Sequence, residues 1–427
     1  MYKTDDALQY HSIKKGKIEI NSKMPLVDEY HLMLAYSPGV KEPCLRIAND
    51  PEAAYQYTSK GNMVAVVSNG TALLGLGNVG ASASLPVMEG KAQLFKVFTG
   101  IDAFPIIIDS DDPEKVIETV KLLEPGFGGI NLKNISAPEC FIIQERLEEE
   151  LNIPVFDDNQ HGTAVMVLAA LINALKVTNK AIDAVKIVIN GAGASALATA
   201  HLLLAAGVNQ IVLCDSQGII YTGRTSGMNE YKVHLARKTN YNCRGGKLPD
   251  ALVDADVFLG LSRGNLLDGV MIKSMARDPI IFALANPEPE INPDLAMSSG
   301  AKVIVTGRTD YPNQINTNLA FPGIFRGALD VRATSINLEM KMAAARTLAN
   351  KVTDRELSPD YIIPKAMDPS LCPTIAASVA EAAIETGVAR VQVDPELIAR
   401  RTQDMFQETA NYGKLLEEDK TQYQIVH

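Results

Sequence analysis

The stretch VKIVINGAGASA, residues 185–196, decides the fold of this chain of 427 residues. Its apolar first half predicts a buried strand over Val185–Asn190, and the residues after the glycines have the composition of a helix. Gly191, Gly193 and Ala196 form a G-x-G-x-x-A pattern between that strand and that helix. The first glycine permits a tight turn, the second lets the backbone approach a pyrophosphate, and the alanine allows close helix–strand packing. The stretch therefore predicts a dinucleotide-binding site.

The next predicted strand, QIVLCD over Gln210–Asp215, ends in a carboxylate. A carboxylate at this place can accept a hydrogen bond from a ribose 2′-OH and repels a 2′-phosphate, so Asp215 favours NAD over NADP. Arg224 and Lys232 could still accommodate a phosphate, which keeps NADP open as an alternative. The nucleotide-binding residues predicted from this region are Gly191, Gly193, Ala194, Ser195, Ala196 and Asp215.

Strand and helix patterns alternate on both sides of this stretch and predict an α/β fold with a doubly wound, Rossmann-type domain. Downstream, strands are predicted at Val257–Gly260, Ile280–Ala283 and Lys302–Thr306, and helices dominate after Phe321. Upstream, the predicted elements are the strands Met63–Val67, Ala103–Asp109 and Gly129–Leu132 and the helix Pro113–Leu123.

The most apolar stretch, Gly162–Leu175, is too short to span a bilayer and predicts a buried helix that leads into the second domain. The predicted domains are a catalytic and substrate domain over 1–160, a nucleotide-binding domain over 161–390 and a helical tail over 391–427.

Charge and cysteine usage narrow the class of protein. Lys+Arg 40 against Asp+Glu 50 gives a net charge of −10, which argues against nucleic-acid and anionic-membrane partners, because both require a basic surface. The N-terminus has no apolar segment typical of a signal peptide. The five cysteines, odd in number and without a C-x-x-C pair, indicate free thiols and a cytoplasmic location.

Three segments place reactive side chains beside turn-forming residues. AYSPGV carries Tyr36, MEGKA carries Lys91, and DDNQHGT begins at Asp157. Taken singly, each has an ordinary structural explanation: a tyrosine in a turn, a solvated lysine and a carboxylate that caps a helix.

Taken together, these segments closely resemble the short bacterial form of malic enzyme. The resemblance covers nearly the whole chain and is carried by AYSPGVKEPC, LGLGNVG, LPVMEGKAQLFKVFTGIDAFPI, GGINLKNISAPECF, QHGTAV, VINGAGA, FALANPEPEI and LAFPGIFRGALD. It implies a malic-enzyme-type substrate domain joined to a Rossmann-type NAD(P) domain. It also implies oxidation of L-malate with NAD(P), decarboxylation of the bound oxaloacetate to pyruvate, and a homodimer.

Residue by residue, the resemblance assigns three reactive groups. Tyr36 is the general acid that protonates the enolate carbon, Lys91 is the general base that takes the hydroxyl proton, and Asp158 tunes that lysine. A phenol is a competent proton donor, and a lysine beside charged and dipolar neighbours can titrate near neutral pH. The implied substrate-binding residues are Asn134, Asn159, Asn286, Asn316 and Asn318, with Asn286 also near the nicotinamide.

The chain departs from the family at the metal-binding positions. The family binds Mg²⁺ or Mn²⁺ through a Glu-Asp pair after I-N-L and through the second Asp of D-D, and these positions are Lys133, Asn134 and Asn159 here. Hard divalent ions rely on carboxylate oxygens, so a metal is doubtful. Asn69 and Asn78 likewise stand where the family has acids, and Thr317 replaces the second of two adjacent asparagines.

Three interpretations of this departure stay open. The chain is an inactive, NAD-binding paralogue with a regulatory role, or a metal survives on Asp157 and Asp158, or Lys133 stands where the cation was. Neighbouring residues on a strand point to opposite faces, which argues against the second. We favour the third, in which an ammonium supplies part of the electrophilic role of a metal. The substrate is then malate or a related 2-hydroxy carboxylate, and a decarboxylation or enolisation without net redox is a further alternative.

Overall fold

The computed structural model describes residues 4–73 and 76–418, with side chains over 5–73 and 76–411. Two sheets with helices packed against them make up most of these residues, which confirms the predicted α/β fold class. The strands are β1 (Met63–Ser68), β2 (Asp102–Ile107), β3 (Gly129–Leu132), β4 (Val155–Asp157), β5 (Lys186–Asn190), β6 (Gln210–Asp215), β7 (Gly218–Ile219), β8 (Val257–Gly260), β9 (Ile280–Ala283) and β10 (Val303–Thr306).

The helices cover both sheets and continue beyond the last strand. They are α1 (Thr4–Ser12), α2 (Glu29–Ala35), α3 (Lys41–Asn49), α4 (Ala54–Tyr57), α5 (Leu85–Thr99), α6 (Pro113–Leu123), α7 (Glu139–Glu150), α8 (Thr163–Thr178), α9 (Ala194–Ala205), α10 (Glu230–Ala236), α11 (Leu248–Leu252), α12 (Gly269–Lys273), α13 (Pro293–Ser298), α14 (Phe321–Asp330), α15 (Leu338–Asn350), α16 (Leu371–Glu385) and α17 (Pro395–Glu418).

The smaller sheet is parallel and has the strand order β2-β1-β3-β4. Its inner strands are apolar runs with every β3 residue buried, as expected of parallel strands covered on both faces. The carboxyl ends of β3 and β4 lie side by side, since Leu132 pairs with Asp157. Residues that directly follow these two strands therefore meet at one edge of the sheet.

The larger sheet has the order β10-β9-β8-β5-β6-β7 and is parallel except for the short edge strand β7. Strand β5 lies between β6 and β8, so the strands that follow it are added first on one side of β5 and then on the other, and the strand order reverses there. Ligands of doubly wound sheets bind in the crevice at such a reversal. The GAGASA turn directly follows β5 and occupies this crevice.

Helix α8 connects the two sheets and is a core helix. With the turn before it, it is long and apolar enough to cross a membrane, yet 67% of that segment is buried inside the protein. Its one polar core side chain, Asn173, donates hydrogen bonds to the carbonyls of Ala349 and Ile362, which satisfies the amide nitrogen, whereas the buried Oδ1 has no hydrogen-bond partner among the described residues. The predicted buried helix is therefore present.

The two ends of the chain differ in how they pack. Helices α2 and α3 contribute no buried residue, whereas α17 packs against α5 and α16, with Phe406 stacked on Phe98. Within the tail predicted for 391–427, helix α17 begins at Pro395 and extends to Glu418, and residues 419–427 lie outside the described part of the chain.

Candidate active site

The polypeptide makes a π-helical turn over Asp158–Gly162, between the end of β4 and the start of α8. Asp157 Oδ1 accepts the backbone N–H groups of Asn159 and Gln160 at 2.8 and 3.2 Å, and its Oδ2 accepts the Gln160 side chain at 3.0 Å. The expectation that Asp157 and Asp158 are neighbours on a strand is wrong, because the strand ends between them. Asp157 is used to cap the turn, so it offers no free oxygen to a metal.

Asp158 is fully buried, and three side chains approach one of its oxygens. Its Oδ2 lies 2.8 Å from Lys91 Nζ and 2.7 Å from Lys133 Nζ, and accepts the Thr317 hydroxyl at 3.1 Å. Burial alone would raise the pKa of this carboxyl, but the charges of Lys133 and Lys91 outweigh it and hold the pKa well below its usual range. Asp158 is therefore an anion that is shared by two lysines.

Lys91 projects from α5 and is 5% exposed. Its ammonium lies 3.0 Å from the centre of the Phe321 ring, and it approaches Asp158 without the angle of a hydrogen bond. Burial lowers the pKa of Lys91 to about 7, a shift that Asp158 opposes and the charge of Lys133 favours. An amine that is partly neutral near pH 7 suits a general base.

Lys133 directly follows β3 and faces the turn after β4. Its ammonium donates to Asp158 Oδ2 and to Asn159 Oδ1, both at 2.7 Å. Asn159 Nδ2 in turn lies 3.4 Å from Asn134 Oδ1, and Asn134 adopts a left-handed φ of 57°, which asparagine tolerates. The structure thus brings together the three residues that stand at the family's metal-binding positions.

These residues do not fit a divalent metal ion. Lys133 already places a positive charge between Asp158 and Asn159, and the unpaired Oδ1 of Asp158 together with the amides of Asn134 and Asn159 is a poor set of ligands for a divalent ion beside that ammonium. Within residues 4–73 and 76–418, no three His, Cys, Asp or Glu side chains are close enough together to hold a metal.

The nucleotide turn has the geometry of a dinucleotide cradle. Gly191 has a φ of +133°, and a Cβ on it would lie 2.4 Å from the carbonyl oxygen of Leu261. A Cβ on Gly193 would meet no atom within 4 Å, so the space above the start of α9 is open. Ser195 Oγ donates to the backbone carbonyl of Asn159 at 2.6 Å and links the nucleotide turn to the lysine cluster. These residues fit the pyrophosphate of NAD or NADP.

Replacing Gly191 and Gly193 by alanine, one at a time, should distinguish a loss of stability from a loss of nucleotide binding. Gly191→Ala should lower both the melting temperature and NAD(H) affinity, because it combines a strained φ with a backbone clash. Gly193→Ala should keep the melting temperature and still weaken NAD(H) about tenfold or more, since its methyl group enters only the open cradle. Thermal unfolding and fluorescence titration with NADH check both, and unchanged affinity in Gly193→Ala would place the nucleotide elsewhere.

Asp215 is paired, unlike the free carboxylate that the sequence predicts. It forms ion pairs with Arg224 and with Lys232, the latter at 3.0 Å, and accepts the backbone N–H of Gln217. Burial would raise the pKa of Asp215, but these hydrogen bonds lower it. Two cations beside one anion remove the repulsion of a 2′-phosphate on which the preference for NAD rests.

Tyr36 is not brought to Lys91 within one chain. It follows α2 and is 73% exposed, and no ion pair, ring contact or side-chain hydrogen bond of the described residues joins it to the lysine cluster. Tyr36 therefore lies on the surface of the isolated chain.

Of the predicted substrate asparagines, Asn159 and Asn134 belong to the lysine cluster, whereas Asn286, Asn316 and Asn318 make no hydrogen bond to its lysines among the described residues. Asn316 caps the short 3-10 turn Thr317–Leu319 by accepting the N–H of Asn318, and this turn presents Thr317 to Asp158. Asn286 follows β9, is exposed, and donates weakly to the carbonyl of Leu284.

Sequence reasoning missed two residues of the cluster, Thr317 and Phe321. Phe321 begins α14 and packs edge-to-face on Phe95 of α5, with ring centres 4.7 Å apart, which holds it against Lys91. In the sequence, the position of Thr317 beside Asn316 is the one signal that points to it.

The pKa of Lys91 sets an expected pH profile. If the neutral amine is the base, kcat/KM should rise with pH through about 7, because the protonated lysine cannot accept a proton. Lys96→Gln, which changes an exposed lysine on the same helix, should leave the midpoint unchanged. A profile that is flat between pH 6 and pH 9, a range of about 3 units around this pKa, would exclude Lys91 as the base.

Comparison with known proteins identifies the family. Residues 15–148 match the malic enzyme N-terminal domain, and residues 160–384 match the malic enzyme NAD-binding domain. The chain is 56% identical to the bifunctional malic/malolactic enzyme of Bacillus subtilis over 94% of this chain and 98% of that protein. It is 53% identical to the NAD-dependent malic enzyme of Geobacillus stearothermophilus over 88% and 78% of the two chains.

A solved structure agrees with these sequences. The crystal structure of malic enzyme from Pyrococcus horikoshii superposes with a TM-score of 0.94 at 46% identity, covering 98% of this chain and 99% of that one. The chain therefore belongs to the malic enzyme family, whose members are NAD(P)-dependent dehydrogenases and decarboxylases.

Proposed function

We propose that the protein catalyses the NAD(P)-dependent oxidative decarboxylation of malate or a closely related 2-hydroxy carboxylate, with Lys133 in place of a divalent cation. The observation that carries this proposal is the position of the Lys133 ammonium, held at 2.7 Å from both Asp158 and Asn159 and beside Lys91. A fixed positive charge there can stabilise the negative charge that develops on a substrate oxygen.

Each residue of the cluster has a role in this reaction. The neutral amine of Lys91 takes the proton of the substrate hydroxyl, and the nicotinamide, when bound, supplies the hydride acceptor. Lys133 then polarises the new carbonyl so that the electron pair of the carbon–carboxylate bond can move into an enolate as CO₂ leaves. Tyr36 protonates the enolate carbon. Asp158 keeps both lysines in place and limits their repulsion.

For the nucleotide we propose that NAD is used and that NADP is accepted as well. The support is the double ion pair of Asp215 with Arg224 and Lys232, which leaves a net positive charge beside the predicted ribose site. Direct comparison of kcat/KM for the two nucleotides tests this point, and rejection of NADP would contradict it. Cytoplasmic location stays a prediction from the cysteines and charge.

We propose further that the protein is a homodimer in which Tyr36 of the partner subunit completes the site around Lys91. In the isolated chain, α2 and α3 bury no residue, and a run of large apolar side chains is exposed around Tyr36. Apolar surface of this extent favours a protein partner. A second copy is the partner that would bring a tyrosine to the lysines. The exposed residues are Ile20, Met24, Leu26, Val27, Tyr30, Leu32, Met33 and Leu34.

The test is a screen for reduction of NAD⁺ and NADP⁺ with malate and related 2-hydroxy dicarboxylates, with EDTA or with added Mn²⁺. We expect turnover that survives EDTA and gains little from Mn²⁺, because the cation of the site is part of the chain. Loss of turnover in EDTA with recovery in Mn²⁺ would contradict the role of Lys133. Nucleotide binding without turnover on any substrate would favour an inactive paralogue.

A further inference from the structure

Two primary amines share one buried carboxylate oxygen in this site. Lys91 Nζ and Lys133 Nζ lie 2.8 and 2.7 Å from Asp158 Oδ2, so the two nitrogens are no further apart than these distances combined. The Phe321 ring closes the site on the side of Lys91. Two ammonium groups and one carboxylate would carry a net charge of +1, which disfavours protonation of both amines at once.

The two lysines are held differently. Lys133 donates to two oxygens, so its positive charge is solvated by the protein. Lys91 is buried, faces an aromatic ring and has no hydrogen bond of normal geometry. Burial lowers the pKa of Lys91 to about 7, and the charge of Lys133 acts in the same direction. A desolvated lysine beside a second cation is an arrangement that makes an amine nucleophilic towards a carbonyl.

We propose that Lys91 forms a covalent imine with the 2-oxo acid of this site, so that a 2-oxo dicarboxylate can be decarboxylated without metal and without net redox. This inference rests on the proposed function, in which the site binds 2-hydroxy and 2-oxo acids. The same neutral amine serves as a base towards a hydroxyl group or as a nucleophile towards a carbonyl.

The steps balance without an oxidant. The Lys91 amine adds to the carbonyl carbon, the carbonyl oxygen leaves as water, and one proton is taken up to give the iminium. The bond to the β-carboxylate then breaks, CO₂ leaves, and its electron pair forms the enamine while the C=N pair moves to nitrogen. Protonation of the β-carbon restores the iminium, and water hydrolyses it to the free amine and a 2-oxo monocarboxylate. The net reaction consumes one proton and releases one CO₂.

The imine would explain how the site works with a lysine at a metal position. A metal draws electrons through the carbonyl oxygen, whereas an iminium draws them through nitrogen at the same carbon. The Lys133 ammonium, bound by two oxygens, pairs with a substrate carboxylate, and its charge disfavours a second positive charge on Lys91 before the attack.

Reductive trapping tests the proposal. The full chain without nucleotide is treated with pyruvate and sodium cyanoborohydride, which reduces an iminium to a stable amine, and peptides are analysed by mass spectrometry. We expect one carboxyethyl group on Lys91 and loss of activity in step with labelling. Lys91→Arg, which keeps the charge but has no primary amine, should remain unlabelled at this position. Lys96→Arg, on the same helix, should label Lys91 as the wild type does.

The charge of Lys133 should affect the rate at which Lys91 is labelled. Lys133→Gln should label Lys91 about tenfold more slowly at pH 7, whereas Lys133→Arg should keep most of the rate because the charge remains. Thermal unfolding and NADH binding show whether each variant is folded.

Three outcomes overturn the proposal: absence of a Lys91 adduct in folded enzyme, an adduct on Lys133 instead, or equal labelling of exposed lysines. None of these outcomes would contradict the proposed function, which is measured separately as NAD(P)⁺ reduction with a hydroxy acid. Conversely, absence of that reduction beside a specific Lys91 adduct would reject the oxidation and keep the imine.

Discussion

Lys133→Ala should lower kcat about 10²–10³-fold, the usual effect of removing one preorganised electrostatic group from a reacting centre. Two effects act together. The substrate oxygen loses its cation, and Lys91 loses the positive neighbour that favours its neutral form. NAD(H) affinity should stay unchanged, because Lys133 lies at the end of β3 and the nucleotide turn follows β5. Stopped-flow measurement of nucleotide reduction, with a parallel NADH titration, checks both parts.

Controls separate the charge of Lys133 from its bulk. Lys133→Met keeps most of the volume without the charge and should behave like the alanine variant, whereas Lys96→Ala should retain full activity because that lysine is exposed. Near-normal turnover in a folded Lys133→Met variant would show that the ammonium has no role in the reaction.

The converse change should create a metal requirement. Lys133→Glu combined with Asn134→Asp and Asn159→Asp places carboxylates at the three positions that now meet beside Asp158. Without a cation these acids repel one another, so the triple variant should be inactive in EDTA and regain turnover with Mn²⁺. Failure of Mn²⁺ to restore any activity in a folded triple variant would mean that the geometry of these positions no longer matches a metal site.

Two inactive variants should complement each other. Tyr36→Phe and Lys91→Ala, produced together in one cell, should recover about a quarter of wild-type activity if Tyr36 of the partner subunit completes each site. Random pairing makes half of the dimers mixed, and one of the two sites in each mixed dimer then has both residues intact. The expected change is from almost no turnover to a readily measured rate.

A second mixture of two inactive variants serves as the control for this experiment. Lys91→Ala mixed with Lys133→Ala should recover nothing, because both lysines belong to the cluster of one chain around Asp158. Recovery in neither mixture, with dimers present by light scattering, would place Tyr36 and Lys91 of the same chain together and contradict the shared site.

Local sequence pattern was enough to predict most of the strands, although the short strand β7 was not predicted and β2 ends two residues before its predicted end. Those at Gln210–Asp215, Val257–Gly260 and Ile280–Ala283 match the predicted bounds, because buried parallel strands are short apolar runs that end in turn-forming residues. The resemblance placed Lys133 and Asn159 at one metal site of the family. The structure brings these two residues together, because residues that follow adjacent parallel strands lie at one edge of the sheet.

Other features depended on contacts between distant segments. The π-helical turn separates Asp158 from the strand, and Phe321 reaches Lys91 from a helix more than two hundred positions away along the chain. The ion pairs of Asp215 depend on the conformations of two long side chains, Arg224 and Lys232, which spacing in the sequence does not specify. The exposure of Tyr36 likewise depends on surfaces that the pattern of a single chain does not describe.

The hydrogen bond from Ser195 Oγ to the carbonyl of Asn159 has a mechanical consequence. Helix α8 leaves the turn at Asp158–Gly162 and enters the nucleotide-binding half, while Ser195 at the start of α9 fastens that half back to the same turn. The nucleotide turn and the turn that carries Asp158 are therefore tied at one point, so a displacement of either turn is passed directly to the other.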